Sequence, residues 1–255
     1  MFESPGKPKP IIHILESGMK LFIFCFSKVL PLTLIDVFLS VLLHWWMPEL
    51  NSPDPKILMA VVMNSPLYLF SYTVAIIILH TAIFYRISLL STQSDKGNFD
   101  ALLHGVKKLL PILLATWLYT LLVGLGLILL VFGVILSVSL RFFTPLIILE
   151  EVDVLNALQR SHQLVWGNWW RTTAILMVPL LISISGGVML SGIVEGILMS
   201  STTFSQDQIS LLVQSAYIMV DKLLTPLFYA IMLIQYYDLK RCSALDKPLE
   251  THLLA

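Results

Sequence analysis

RFFTPLIILEEVDVLNALQRSHQLVWGNWWR, residues 141–171, begins inside one strongly apolar segment and ends at the mouth of another. Between the two lies an amphipathic passage, with Glu150, Glu151 and Asp153 at its front and Trp166, Trp169 and Trp170 at its back. That order reads as a membrane span descending, a helix lying on the membrane surface, and a second span rising. The rest of the chain reads as variations on this unit.

Composition points the same way. Hydrophobic residues make up 57% of the 255 residues and charged residues 13%, against about 25% charged in a soluble domain. Mean hydropathy is +0.85. In lipid a helix needs no watery face, because its backbone is satisfied internally. The net charge of zero gives no reason to expect nucleic acid as a partner. A disulfide between Cys25 and Cys242 is not expected, since both fall on the side assigned below to the reducing cytoplasm. The opening MFESPGKPKP lacks the apolar core of a cleavable leader, and residues 1–9 are expected to be a mobile tail.

About 20 apolar residues cross a hydrocarbon core. Six segments qualify, at roughly 29–47, 65–87, 109–130, 133–150, 171–198 and 213–238. The third and fourth come from one run between Lys108 and Glu150. Its divider is expected near Phe132-Gly133, or alternatively near Gly124 and Gly126, because glycine lets the backbone turn. Amphipathic stretches precede the odd-numbered spans, at about 11–28, 98–108 and 153–168. They read as interfacial helices or as the first turns of long tilted spans. In the third, Asp153 stands at the N-cap, with Asn156, Arg160 and Gln163 on the polar face and Leu155, Leu158, Val165 and Trp169 opposite. The expected fold is thus all-α: a polytopic membrane protein of six transmembrane helices and three interfacial helices. It forms one membrane domain over 10–240, in pseudo-repeated units of about 10–90, 97–150 and 152–240, followed by a tail over 241–255. Lys28-Val29-Leu30-Pro31 and Lys108-Leu109-Leu110-Pro111 mark the same joint in the first two units, proline suiting the first turn of a new helix.

Fourteen of the sixteen Lys and Arg residues fall on one side of this layout, and only Lys56 and Lys222 on the other. The positive-inside rule then puts both termini in the cytoplasm. The outer connections, about 48–64 and 199–212, read as short polar loops.

Ionisable residues inside spans are candidates for function. Asp36 and His80 lie deep in the first and second spans and are able to face each other. Glu195, Asp221 and Lys222 lie near the outer border, where contact with water suffices. Arg141 lies about 13 Å from Glu150 if its helix is unbroken at 1.5 Å per residue. It is therefore expected to pair with Asp238 or with an acid near Glu150, unless Pro145 ends the helix early. The six histidines show no i, i+4 pair, and neither HExxH nor CxxC occurs, so no metal site and no cofactor are expected. Ser161-His162 has no recognisable orienting group or oxyanion donors, and no enzymatic activity is expected. Gly192-x-x-x-Gly196 permits close helix approach, within the bundle or between copies of the chain in a homo-oligomer.

The run GLILLVFGVILSVSLRFFTPLIILEEVDVLNALQRSHQLVWGNWWR resembles the middle of bacterial YciC-like inner-membrane proteins. It is also similar to the membrane domains attached to some glycerophosphodiester phosphodiesterases. The shared pattern falls on Arg141, Phe143, Pro145, Glu150, Ala157, Ser161 and Trp169-Trp170, with Tyr236-Tyr237-Asp238-Leu239-Lys240 as the closing motif. It departs at Phe132-Gly133, where the family has Pro-Gly. About 15 residues follow the closing motif, so no soluble phosphodiesterase domain is expected. The resemblance implies a six-span protein of the bacterial cytoplasmic membrane and supplies no catalytic residues. Two functions follow as expectations. One is a non-catalytic protein that contacts membrane lipids and organises the membrane. The other is a small-solute or proton-coupled transporter using Asp36, His80 and Arg141.

Overall fold

The computed structural model describes residues 8–48, 54–94, 96–128, 131–200 and 204–251. The chain is all-α, in the order α1 (Ile11–Trp46), α2 (Pro55–Asn64), α3 (Pro66–Ser91), α4 (Asn98–Lys107), α5 (Leu109–Ile128), α6 (Val131–Ser139), α7 (Phe143–Leu149), α8 (Val154–Val165), α9 (Trp169–Met199) and α10 (Gln206–Thr251). Six helical stretches are long and apolar enough to cross a membrane: α1, α3, α5, α6 with α7 (Phe132–Leu149), α9, and α10 as far as Ser243. It is a polytopic membrane protein.

The three amphipathic stretches take different forms. The first is not separate: α1 runs unbroken through Pro31. Packing explains this, because the early turns lie along α10. Ile14 is buried with Ile175, Leu227 and Ile231, and a Cβ placed on Gly18 would sit 2.6 Å from Ile231. The second is a helix of its own, α4, capped by the Asp100 carboxylate accepting from the Gly97 N–H at 3.2 Å. It packs against α3 so closely that a Cβ on Gly105 would meet the Ile78 carbonyl at 2.6 Å. Pro111 then falls in the first turn of α5, where its missing N–H costs nothing. The third is α8. Asp153 is at its N-cap, but the carboxylate accepts from the Asn156 side-chain amide rather than from a backbone N–H.

Two expected loops also differ. The outer connection contains α2, begun by Asp54 accepting from Lys56 N at 2.9 Å and by Pro55; the Pro53 part of that connection lies outside the described residues. The tail expected from 241 continues as helix to Thr251. Of the expected N-terminal tail, residues 1–7 lie outside the described residues, whereas Lys9 is bound through its backbone (below).

Phe132-Gly133, the expected divider between spans three and four, lies within α6, and the alternative, Gly124 and Gly126, lies within α5; residues 129–130, between the two helices, lie outside the described residues. Gly126 and Gly133 instead let α5 and α6 touch. A Cβ on Gly126 would lie 2.9 Å from Gly133 Cα, and one on Gly133 would lie 2.6 Å from Leu127 N. Among the described residues nothing lies within 4 Å of a Cβ built on Gly192 or Gly196, so neither packs against them inside the bundle. The close approach of α9 to α10 uses Gly187, against the Tyr217 ring.

One end of the bundle gathers the charges. Arg171 at the start of α9 pairs with Asp238 of α10 at 2.7 Å and donates to the Lys9 carbonyl, while Lys9 N donates to Asp238 at 3.4 Å. The beginning of α1 and the later part of α10 therefore share a face. At the opposite end Trp45 Nε1 donates to Ser215 at 2.7 Å.

Gly133→Val should destabilise the folded protein by about 1–3 kcal/mol, the usual cost of overpacking, with Gly192→Val near neutral. Thermal unfolding in detergent measures both; equal losses would show that the glycine contact is not used.

Candidate functional site

The site is built around a broken helix. Span four stops after Ser139, turns through Leu140, Arg141 and Phe142, and restarts as α7. Inside a membrane such a break is viable only where its backbone groups find partners in the protein. Here they do. Leu136 O accepts from Leu140 N at 2.9 Å, Val138 O from Arg141 N at 3.3 Å, and Leu140 O from Phe143 N at 3.1 Å. Side chains complete the set. Tyr119 of α5 donates to Ser137 O at 3.1 Å. The fully buried Ser161 hydroxyl donates to Ser139 O at 2.8 Å and accepts from Phe142 N at 3.0 Å. Trp169 Nε1 reaches Ile135 O at 3.2 Å. Pro145 begins the second half rather than ending the first, lying in the opening turn of α7, where a missing N–H is harmless.

The break turns Arg141 into a cleft of about 410 Å³ between α3, α5, α7 and α10. Arg141 does not pair with Asp238, which is held by Arg171 and Arg241. Nor does it pair with Glu150, which is held by Lys240 at 2.7 Å, Arg160 at 3.8 Å and the Tyr236 hydroxyl. The expected ion pair is thus replaced by local partners better placed at the bundle end. Among the described residues no carboxylate lies within ion-pairing distance of Arg141. Its guanidinium sits 5.2 Å from the centre of the Phe228 ring, a cation–π contact that partly offsets desolvation.

Asp36 and His80 meet: His80 Nε2 lies 3.1 Å from Asp36 Oδ2, with the Asp36 side chain fully buried. The second Asp36 oxygen has no partner among the described residues. His80 stands edge-on to Tyr229 at 5.9 Å. His80, Arg141 and Tyr229 line the same cleft, with Tyr72, Thr73, Thr81, Thr116, Tyr119, Thr120 and Thr144 and the apolar Ile76, Ile77, Ile112, Phe143 and Met232; the hydroxyls of Thr73, Tyr119 and Thr120 donate to backbone carbonyls. Sequence reasoning missed these residues, although Thr73, His80 and Thr81 on α3 (i, i+7, i+8) and Thr116 and Thr120 on α5 (i, i+4) recur at helical spacing and put polar groups on one face of each span. The arrangement offers one fixed cation, one His–Asp pair and several neutral threonines and tyrosines among apolar side chains. Among the described residues no three of His, Cys, Asp and Glu come together as a metal-binding group.

At the charged end, His104 stacks on Tyr85 with ring centres 3.8 Å apart. Burial holds its pKa below the ordinary 6.5, although a bond to the Ile148 backbone and Glu151 oppose this. Burial pushes the Glu150 carboxyl up, but Lys240, Tyr236 and Arg160 outweigh it, so its pKa is lowered. Lys108 does the same for Glu151, which occupies the left-handed region at φ +56°.

A family described as a domain of unknown function, DUF7847, matches residues 101–239. That is more than half of the chain. The chain belongs to this family. The matched segment holds Arg141, the broken span and Ser161, whereas Asp36 and His80 lie outside it. No curated protein and no solved structure matches.

Ser161→Ala should cost roughly 1–3 kcal/mol for each buried backbone group left unmet, read as a lower unfolding temperature; Ser137→Ala, whose hydroxyl bonds only its own turn, should cost far less. The His104 prediction follows from linkage. A native pKa below the unfolded one means that the unfolded chain binds more protons, so stability is full above about pH 6.5 and falls as pH drops below it. His104→Gln should flatten that part of the unfolding-versus-pH curve, and an unchanged slope would remove His104 as the cause.

Proposed function

We propose that this protein is a membrane carrier that holds a small polar solute in the cleft between α3, α5, α7 and α10. One observation carries the reading: an arginine with no carboxylate partner among the described residues and a histidine backed by Asp36 share a cavity lined in part by threonines and tyrosines, inside the membrane-spanning region. Placing such groups there is expensive, and proteins that do so generally use them on a solute or ion pathway. The broken span supports the same reading, since interrupted helices commonly build the binding sites of carriers. On this proposal the protein has no enzymatic role. It sits in a bacterial cytoplasmic membrane with both termini cytoplasmic, in keeping with the distribution of Lys and Arg and the resemblance to YciC-like proteins.

A second reading, lipid contact at the charged face, is favoured by a separate observation. α4 and α8 turn Ala101 and Gly105, and Ala157, Leu158, Ser161 and Val165, into the protein. Phe99, Leu103, Leu155 and Trp166 stay exposed at the level where aromatic and aliphatic groups meet lipid. On this reading Phe99→Asp with Leu155→Asp strips lipid that copurifies with the wild type.

Cysteine labelling tests the carrier reading. In a chain with Cys25 and Cys242 replaced by Ser, Thr116→Cys and Thr144→Cys should react with a membrane-impermeant, charged thiol reagent. Leu121→Cys, exposed on the outer surface of α5, should not. Silence at both threonine positions in folded protein would mean that the cleft is closed to water and would end the proposal.

A further inference from the structure

We infer that the cleft takes a small monovalent oxyanion of the carboxylate or sulfonate kind, and takes one proton on His80 together with it. This rests on the carrier reading and deepens it. The charges facing the cleft decide the matter. Arg141 contributes one positive charge and, among the described residues, has no carboxylate in pairing distance; Asp36 contributes one negative charge from behind His80. His80 touches Asp36 of α1 and Tyr229 of α10, and shares the cleft with Tyr119 and Thr116 of α5, Arg141 of the broken span and Tyr72 of its own helix.

Asp36 as a carboxylate only accepts hydrogen bonds, so Nε2 of the neutral His80 ring carries the hydrogen between them. Nδ1 then keeps a lone pair. The His80 side chain is 28% exposed, so this ring still reaches the cleft. With His80 neutral, Arg141 and Asp36 balance. When Nδ1 takes a proton, the cleft gains one uncompensated positive charge in surroundings of low dielectric, where such a charge is costly. An anion on Arg141 cancels it. Conversely, an anion bound without the proton leaves a net negative charge. Proton and anion therefore favour each other's binding by the same factor, as linkage requires. The geometry suits an oxyanion: the guanidinium offers a planar fork to two oxygens, and Thr116, Thr144 and Tyr229 line the same cleft as Arg141.

Calorimetry on the full chain in lipid nanodiscs tests this. The probes are benzoate, benzenesulfonate, neutral benzenesulfonamide, and dihexanoyl phosphatidylglycerol as the lipid source of a monovalent oxyanion. Repeating each titration in two buffers of different ionisation heat counts the protons taken up. Benzoate or benzenesulfonate should bind with uptake of about one proton, their affinity falling about tenfold per pH unit once His80 is neutral. The sulfonamide should bind at least tenfold more weakly. Binding of the short lipid but not of the soluble anions, with the same proton uptake, would keep the oxyanion and assign it to a headgroup. Arg141→Gln should abolish binding and Arg141→Lys retain part of it. His80→Gln should bind the anion with no proton uptake and no pH dependence. If His80→Gln does not fold, the two-buffer comparison on the wild type decides alone. Equal affinity for the sulfonamide, or anion binding without proton uptake, overturns the inference. If Thr116→Cys and Thr144→Cys label but none of the anions binds, the oxyanion is wrong and the carrier reading stands; if neither labels, the carrier reading itself has failed.

Discussion

A single buried hydroxyl, that of Ser161, makes the rest of the arrangement possible. In hydrocarbon a backbone N–H or C=O without a partner costs several kcal/mol, so a span cannot simply stop and restart. Ser161 closes the gap from both sides, giving a hydrogen to Ser139 O and taking one from Phe142 N. Tyr119 and Trp169 complete the shell. The third amphipathic helix is therefore less a float on the membrane surface than a clamp on the fourth span. Two residues on its buried face are enough for this: Ala157 is small and allows close approach, and Ser161 supplies the bonds.

Once the break is held, the electrostatics separate into two regions. At the charged end, Arg171, Asp238, Glu150, Lys240, Arg160, Lys108 and Glu151 satisfy one another near water. Exposed pairs there contribute little each, but together they align the ends of α1, α7, α9 and α10. Deeper in, Arg141 is left with an aromatic ring and a space lined in part by threonines and tyrosines, and Asp36 with one histidine. The acids that sequence spacing offered to Arg141 are used by cations nearer the surface. That division leaves a positive centre inside the cleft.

The legible part of this protein lay in patterns of hydropathy. The apolar runs marked the six spans, and Asp36 and His80 stood out because charge is rare in such runs. The stretch 141–171 displayed its alternation of span, amphipathic helix and span. Less legible was α1, where a proline at 31 and a polar stripe suggested a joint; contact of Ile14 and Gly18 with α10 keeps the helix whole. Phe132-Gly133 suggested a turn by glycine chemistry, yet Gly133 serves close packing against Leu127. Tyr72, Thr116 and Thr144 are ordinary residues for a membrane helix, and nothing local says that three of them on three helices face one space.

The sequence by itself determined the solvent, the number of crossings and the helical character of nearly every segment, because these depend on length, polarity and period along the chain. Tertiary structure alone decided which charge meets which, where span four breaks, and whether a glycine turns or packs. Those outcomes depend on neighbours from distant positions, such as Ser161 against Phe142 and Arg171 against Asp238. An ion pair or a hydrogen bond falls off steeply with distance, so partners are chosen by the final geometry and not by the residue types that make them eligible.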